Sequence, residues 1–183
     1  MSKKAIIVLA EGFEEIEAVT IIDILRRAGI DVTVTGLANT KVSGSHAINV
    51  VTDKKLDEVE FDFDACVFPG GMPGATNLAS SEKIKSLIQK MNSDGKLIAA
   101  ICASPAIVLA PIGILKNKSA TCYPGLQENF GKDTNYKEDN VIIDGNIITS
   151  RGPGTALVFS LAIVEKLIGK ESADKLKKAT LAV

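Results

Sequence analysis

Lys96-Leu97-Ile98-Ala99-Ala100-Ile101-Cys102-Ala103-Ser104-Pro105-Ala106 is the stretch on which the reading of this chain turns. An apolar run of strand length ends at a cysteine, and a serine and a proline follow where a helix would begin. Ala100 and Ser104, small residues two before and two after Cys102, meet the steric demand of a sharp strand-to-helix elbow, where a bulkier side chain would collide with the turn. Ser104 offers an N-cap hydroxyl and Pro105 a preset first-turn φ, so Cys102 is expected at the positive end of a helix dipole. That position lowers a thiol pKa. A thiolate at neutral pH is one reading, and a structural buried cysteine is the other.

Outward from this stretch, apolar strand-like runs alternate with helical patterns. Strands are expected at Lys4 to Ala10, Asp31 to Thr35, Asp64 to Phe68 and Lys96 to Ile101, with helices at Glu14 to Ala28 and Ser80 to Met91. This alternation predicts an α/β fold with a mostly parallel central sheet and helices on both faces. His46 to Thr52 reads as an added short strand or hairpin. Val141 to Ile148 reads as a hairpin turning at Asp144-Gly145, followed by helices at Thr155 to Ile168 and Glu171 to Ala179. With no linker, repeat or low-complexity segment, residues 1–183 read as a single domain.

Composition narrows the function classes. Lys and Arg number 21 against 22 Asp and Glu, which argues against a nucleic-acid partner. No run approaches the roughly 18 to 20 apolar residues of a membrane span, so no membrane role is expected. Lys3 and Lys4 imitate the start of a signal peptide, but the apolar run Ala5 to Ala10 stops at Glu11-Gly12, and a cytoplasmic location is expected. Three cysteines, Cys66, Cys102 and Cys122, with no CxxC pair and no histidine cluster, suggest neither a disulfide framework nor a zinc site.

In open α/β sheets, sites form beyond the carboxyl ends of the strands. Three loops qualify: Glu11 to Glu17, Pro69-Gly70-Gly71-Met72-Pro73-Gly74, and the Cys102 elbow. The second lacks the Lys-Ser/Thr ending of a phosphate-binding loop; its tandem glycines either make a tight turn or expose backbone N–H groups to a small anion. Cys66, mid-run, reads as strand core, and Cys122 is open between core and site. The single histidine, His46, in a polar stretch, reads as a surface residue, leaving thin support for a Cys-His-Asp triad. Carboxylates are the other partner for a thiol. Counting by threes and fours from Glu17 gives Thr20, Ile21, Ile24 and Ala28, so Glu17 heads the inward face, whereas Glu15 leads to Arg26. A carboxyl held there either complements the helix N-terminus or, desolvated, keeps its proton and hydrogen-bonds a thiolate.

These segments resemble the ThiJ/PfpI superfamily, and within it the branch of Parkinson disease protein seven and its bacterial relatives. The likeness runs over nearly the whole chain. It is carried by Ala10 to Glu17, Arg26 to Ile30, Phe68 to Gly71 with Gly74-Ala75 and Asn77-Leu78, Ala99 to Ala103, and Thr149 to Thr155. The resemblance implies a flavodoxin-like sandwich, a homodimer, a reactive cysteine at Cys102 and a glutamate at Glu17 whose proton partners it. It also implies that backbone amides of Gly71 and Ala103, with Gly70 shaping the loop, face the cysteine as oxyanion donors. Two residues depart from the human-type branch: Tyr123 stands where that branch has a histidine, and Ser104 where it has glycine. The protease-like branch places a histidine directly after its cysteine. Here that residue is Ala103, which argues against peptidase activity.

The resulting expectation is a cofactor-free enzyme of glyoxalase III or protein deglycase type, acting on methylglyoxal, glyoxal or their early adducts. Cys102 would attack the carbonyl, Glu17 would move the proton, and Gly71 and Ala103 amides would hold the oxyanion. A redox sensor or oxidative-stress chaperone that oxidises Cys102 without turnover uses the same two residues.

Overall fold

The computed structural model describes residues 2–182. In chain order the elements are β1 (Lys4–Leu9), α1 (Glu15–Arg27), β2 (Asp31–Gly36), β3 (Lys41–Ser43), β4 (Asn49–Val51), β5 (Lys54–Lys55), β6 (Ala65–Phe68), α2 (Gly74–Ala79), α3 (Glu82–Ser93) and β7 (Leu97–Ile101). Then come β8 (Ser119–Ala120), β9 (Asn135–Tyr136), β10 (Val141–Asp144), β11 (Ile147–Ser150), α4 (Ala156–Ile168) and α5 (Lys170–Ala179).

Seven strands form the central sheet in the order β10-β11-β7-β6-β1-β2-β5, all parallel except β10, which returns antiparallel on β11. The expected fold class is thereby the observed one. The path from β1 to β2 runs one way along the sheet and the path from β6 to β7 the other. Right-handed crossovers therefore put α1 and α3 on opposite faces. The reversal lies between β1 and β6, so the loops after those strands diverge and leave a crevice at their carboxyl ends.

Burial on both faces explains why the strands read as continuous apolar runs: Ala5–Leu9 of β1, Ala65–Phe68 and Leu97–Ile101 are buried at every position. Cys66 is part of that core, as expected for a residue in mid-strand. From α1 the sheet receives Glu17, Ala18, Ile21, Ile24 and Leu25, while Thr20 and Ala28 are only half-buried.

Three local expectations need correction. The helix expected from Ser80 to Met91 runs from Glu82 to Ser93, because Ser81 is extended and accepts the Ile84 N–H at 3.4 Å as an N-cap, and a separate short helix, α2, precedes it. The turn of the final hairpin lies one residue later than expected, at Gly145-Asn146. Asp144 pairs with Ile147, and Gly145 takes the positive φ of 65° that the turn needs. Glu15, which helical counting turns away from the sheet, is also buried, because the β3–β4 hairpin folds over it. Among the described residues no helix is long and apolar enough to cross a membrane.

Leu25 is fully buried between α1 and the sheet. Leu25→Ala should therefore lower the unfolding free energy by about 2–5 kcal/mol in urea titrations with an unchanged slope.

Candidate active site

Three strand ends supply the site. The loop after β1 leads into Glu17 on the first turn of α1, the loop after β6 is Pro69-Gly70-Gly71, and Cys102 follows β7 directly. Cys102 has φ +63°, a left-handed backbone that a side chain rarely adopts, and it is the strained residue of the elbow. The ladder locks it there: its N–H donates to Ser150 O at 2.9 Å, and its carbonyl accepts the Tyr123 N–H at 2.8 Å. Cys102 as a whole retains 8% exposure.

The chain beyond the elbow differs from the expected helix start. Ser104 is already helical and caps nothing; its hydroxyl donates to Pro69 O at 2.6 Å, tying the elbow to the glycine loop. Pro105–Leu109 make a single π turn that passes into a 3-10 turn at Ala110–Ile112. So short an element contributes little dipole.

Glu17 is fully buried. Its Oε2 accepts the Gly70 N–H at 2.7 Å, and its Oε1 is buried with no hydrogen-bond partner. Gly70 has no room for a side chain: a Cβ there would lie 2.6 Å from Cys102 Cβ and 3.0 Å from both Ala103 N and Glu17 Oε2. Gly71, at φ +88°, lies so close to Gly12, Phe13 and Glu14 that a Cβ would strike their backbone. Glu14 N–H in turn donates to Gly70 O at 2.9 Å. All five residues expected at the site, Glu17, Gly70, Gly71, Cys102 and Ala103, are thus brought together.

The electrostatics depart from the expectation at the thiol. Burial pushes the Cys102 thiol up, the Glu17 carboxyl pushes it further, and the Gly71 and Ala103 amides pull it partly back. The elbow alone does not make a thiolate. Burial also raises Glu17, to about 7, against the opposing Gly70 N–H and Cys102 contacts and with the help of the Glu14 charge. Two ionisable groups in one apolar pocket share one negative charge. When Glu17 holds the proton, its repulsion of the thiolate disappears and its O–H becomes a donor.

The other expected residues fall outside this constellation. Cys122 is buried, with burial raising its thiol to about 11. Tyr123 sits beside the elbow through its backbone only; its side chain is 48% exposed and its ring lies against Gly152. His46 is exposed, and its ring contacts are with Glu15, Glu14 and Ser45 rather than Cys102. The Ser104–Pro69 bond was not legible in the sequence. Nothing in the spacing of a serine and a proline carbonyl 35 residues apart announces it. A cleft of about 270 Å³ lined by Leu9, Glu11, Val42 and Asn77 lies nearby, and Cys102 is not in its wall.

A doubly wound sheet with a cysteine elbow on the strand next to its switch point and a buried glutamate against that elbow defines a flavodoxin-like domain. A family model described as the DJ-1/PfpI family matches residues 3–166, and the chain belongs to that family. Protein dj-1beta of Drosophila melanogaster is 44% identical over 99% of this chain and 98% of its own length. Its crystal structure superposes with a TM-score of 0.96, with all of both chains covered. Protein DJ-1 homolog B of Arabidopsis thaliana is 48% identical over 94% of this chain but 40% of its own length, and the chain spans less than half of the Arabidopsis relatives. A Caenorhabditis elegans relative, 38% identical over 96% of this chain and 95% of its own, is named glutathione-independent glyoxalase DJR-1.2.

The raised Glu17 carboxyl makes stability depend on pH with a definite sign. The native state keeps the proton to about pH 7, whereas the unfolded chain releases it near 4.5. The contribution is therefore full below 4.5 and is lost as pH rises to about 7. Urea unfolding across that window should show wild type losing stability relative to Glu17→Gln by a few kcal/mol at most, at about 1.4 kcal/mol per pKa unit. No difference in slope across that window would show Glu17 already ionised in the native state.

Proposed function

We propose that this chain is a cofactor-independent enzyme of glyoxalase III or protein deglycase type, acting on methylglyoxal, glyoxal or their early adducts through Cys102 and Glu17. The observation that carries this reading is the buried Glu17 carboxyl against the Cys102 thiol, with one oxygen, Oε1, left without a hydrogen-bond partner. It is a proton site with no structural bond to lose, on a carboxyl that contacts Cys102. The glyoxalase name of the Caenorhabditis elegans relative supports the same substrate class.

The chemistry follows from the geometry. With the proton on Glu17, the Cys102 sulfur adds to the aldehyde carbon of methylglyoxal, and the carbonyl oxygen takes a proton to give a hemithioacetal. Amides of Gly71 and Ala103 stabilise the oxyanion before that proton arrives. Glu17, ionised by giving its proton to that oxygen, removes the proton from the former aldehyde carbon and returns it to the neighbouring carbon, while the hemithioacetal hydroxyl proton passes to the neighbouring oxygen. The result is a thioester of lactate: one carbon is oxidised and its neighbour reduced, so no redox cofactor enters the balance. Water then releases lactate and restores the thiol. Tyr123, turned outward, has no part in these proton steps, unlike a histidine placed beside the cysteine.

The same reading includes a homodimer. Ile16 and Val19 of α1 and Ile48 and Val51 of the β3–β4 hairpin are each more than half exposed. They lie on neighbouring elements, and an apolar face of this kind is covered when two copies meet about a two-fold axis.

Two measurements test these statements. Cys102→Ser should abolish lactate production from methylglyoxal. Glu17→Gln, which keeps the shape and a donor, should reduce turnover by ~100-fold or more while leaving Cys102 open to alkylation. Undiminished lactate production in Glu17→Gln overturns the mechanism, and its absence in wild type, with peroxide oxidation of Cys102 preserved, favours a sensor. Sedimentation at micromolar concentration should give the mass of two chains, and Val19→Asp with Val51→Asp should give one.

A further inference from the structure

Cys122 is a second thiol at the carboxyl end of the sheet, and the mechanism leaves it without a task. It lies in the segment that follows β8. There Thr121 N–H donates to Thr149 Oγ1 at 2.9 Å, and Tyr123 N–H donates to Cys102 O at 2.8 Å. Cys66, Cys102 and Cys122 are all free and buried.

We propose that Cys102 and Cys122 are a redox pair, which a peroxide converts to an intramolecular disulfide that thiol reductants reopen. The first argument is distance. From Cys102 Cα to its own carbonyl oxygen, and from Cys122 Cα to the Tyr123 nitrogen, covalent geometry spans about 2.4 Å each. With the 2.8 Å hydrogen bond between these arms, the two Cα atoms lie no more than about 7.6 Å apart. Any bend along that path brings them toward the roughly 4.4–6.8 Å that a disulfide spans. Cys66 has no such route. It stands level with Ile98, four residues before Cys102, and at about 3.3 Å per residue that is roughly 13 Å away along the strands.

The second argument is how little holds Cys122. Among the described residues neither its N–H nor its carbonyl has a hydrogen-bond partner, and the neighbouring Thr121 Oγ1 is buried without one. Pro124 and Gly125 follow, Gly125 at φ +90° with open space around it. Turning Cys122 toward the elbow therefore breaks no hydrogen bond of its own, while Cys102 is held by Ser150 O and the Tyr123 amide. Burial raises the Cys122 thiol to about 11, and the Arg151 charge pulls it partly back, so a cation stands ready where the attacking thiolate forms.

The chemistry balances with peroxide as the oxidant. The Cys102 sulfur attacks one peroxide oxygen; an S–O bond forms, the O–O bond breaks, and the leaving oxygen departs as water with the thiol proton. The Cys122 sulfur then attacks the Cys102 sulfur; the S–S bond forms, the S–O bond breaks, and a second water leaves with the Cys122 proton. Each sulfur loses one electron and the peroxide gains both. The disulfide stops the oxidation of Cys102 before sulfinate. It stands on the two thiols alone; only its further effect, a reversible loss of lactate production, rests on the catalytic reading.

The test is hydrogen peroxide treatment of the purified protein, then denaturation in N-ethylmaleimide without reductant, with mass spectrometry of the intact chain and its peptides. Wild type should take one maleimide, on Cys66, instead of three, and yield a linked Cys102–Cys122 peptide pair that dithiothreitol separates. Cys66→Ala should form the same link. Cys122→Ser, checked for folding by circular dichroism, should carry ~10-fold or more sulfinate at Cys102 at equal peroxide. The proposal is overturned if wild-type Cys122 still takes maleimide after Cys102 has been oxidised, or if millimolar peroxide leaves both thiols free. A link found only between chains, or equal sulfinate in wild type and Cys122→Ser, overturns it as well. None of these readouts depends on turnover, so an inactive protein that forms the link sinks the catalytic reading and leaves the redox pair intact.

Discussion

A methyl group on residue 70 would meet Cys102 Cβ at 2.6 Å and crowd Ala103 N and Glu17 Oε2 at 3.0 Å, and the rest of the site depends on its absence. That one contact point joins the ends of β6 and β7 and the first turn of α1. Because Gly70 is bare, its N–H can reach the Glu17 carboxyl and the elbow can press against the loop. The positive φ of Cys102 is held from the other side by the β11 carbonyl of Ser150 and the Tyr123 amide. Strain at the elbow is thus offset by hydrogen bonds on elements far apart in sequence.

Burial then decides the chemistry of the pocket. A thiol and a carboxyl placed together away from water cannot both be charged: burial raises both groups, the carboxyl raises the thiol further, and the hydrogen bond between them lowers the carboxyl. The amides of Gly71 and Ala103 act in favour of the thiolate. Whether the negative charge rests on sulfur or on Glu17 therefore depends on where one proton sits, and a small ligand that contacts either group shifts that balance.

The β3–β4 hairpin is the part of the molecule most remote from its local sequence signals. It pairs only with itself, outside the central sheet, and is fixed to the body by Glu15 and by the bonds of Gly12 to Ser43 O and Ser45 to Phe13 O. Through these it closes over the helix end that carries Glu14, Glu15 and Glu17. Its outer residues Ile48 and Val51 continue the apolar surface begun by Ile16 and Val19.

The sequence by itself determined the alternation of strands and helices, the place of the elbow and the inward direction of Glu17. These depend on periodicity and on the size of side chains a few residues apart, which local sterics settle. It misjudged the chain after Cys102, because the dipole argument needs a regular helix there and Pro105–Leu109 form a π turn instead. It also left Glu15 and His46 as unrelated surface residues, 31 positions apart. Only the tertiary structure sets their burial and partners, since desolvation and proton sharing depend on which distant segment closes over a group and not on its neighbours in the chain.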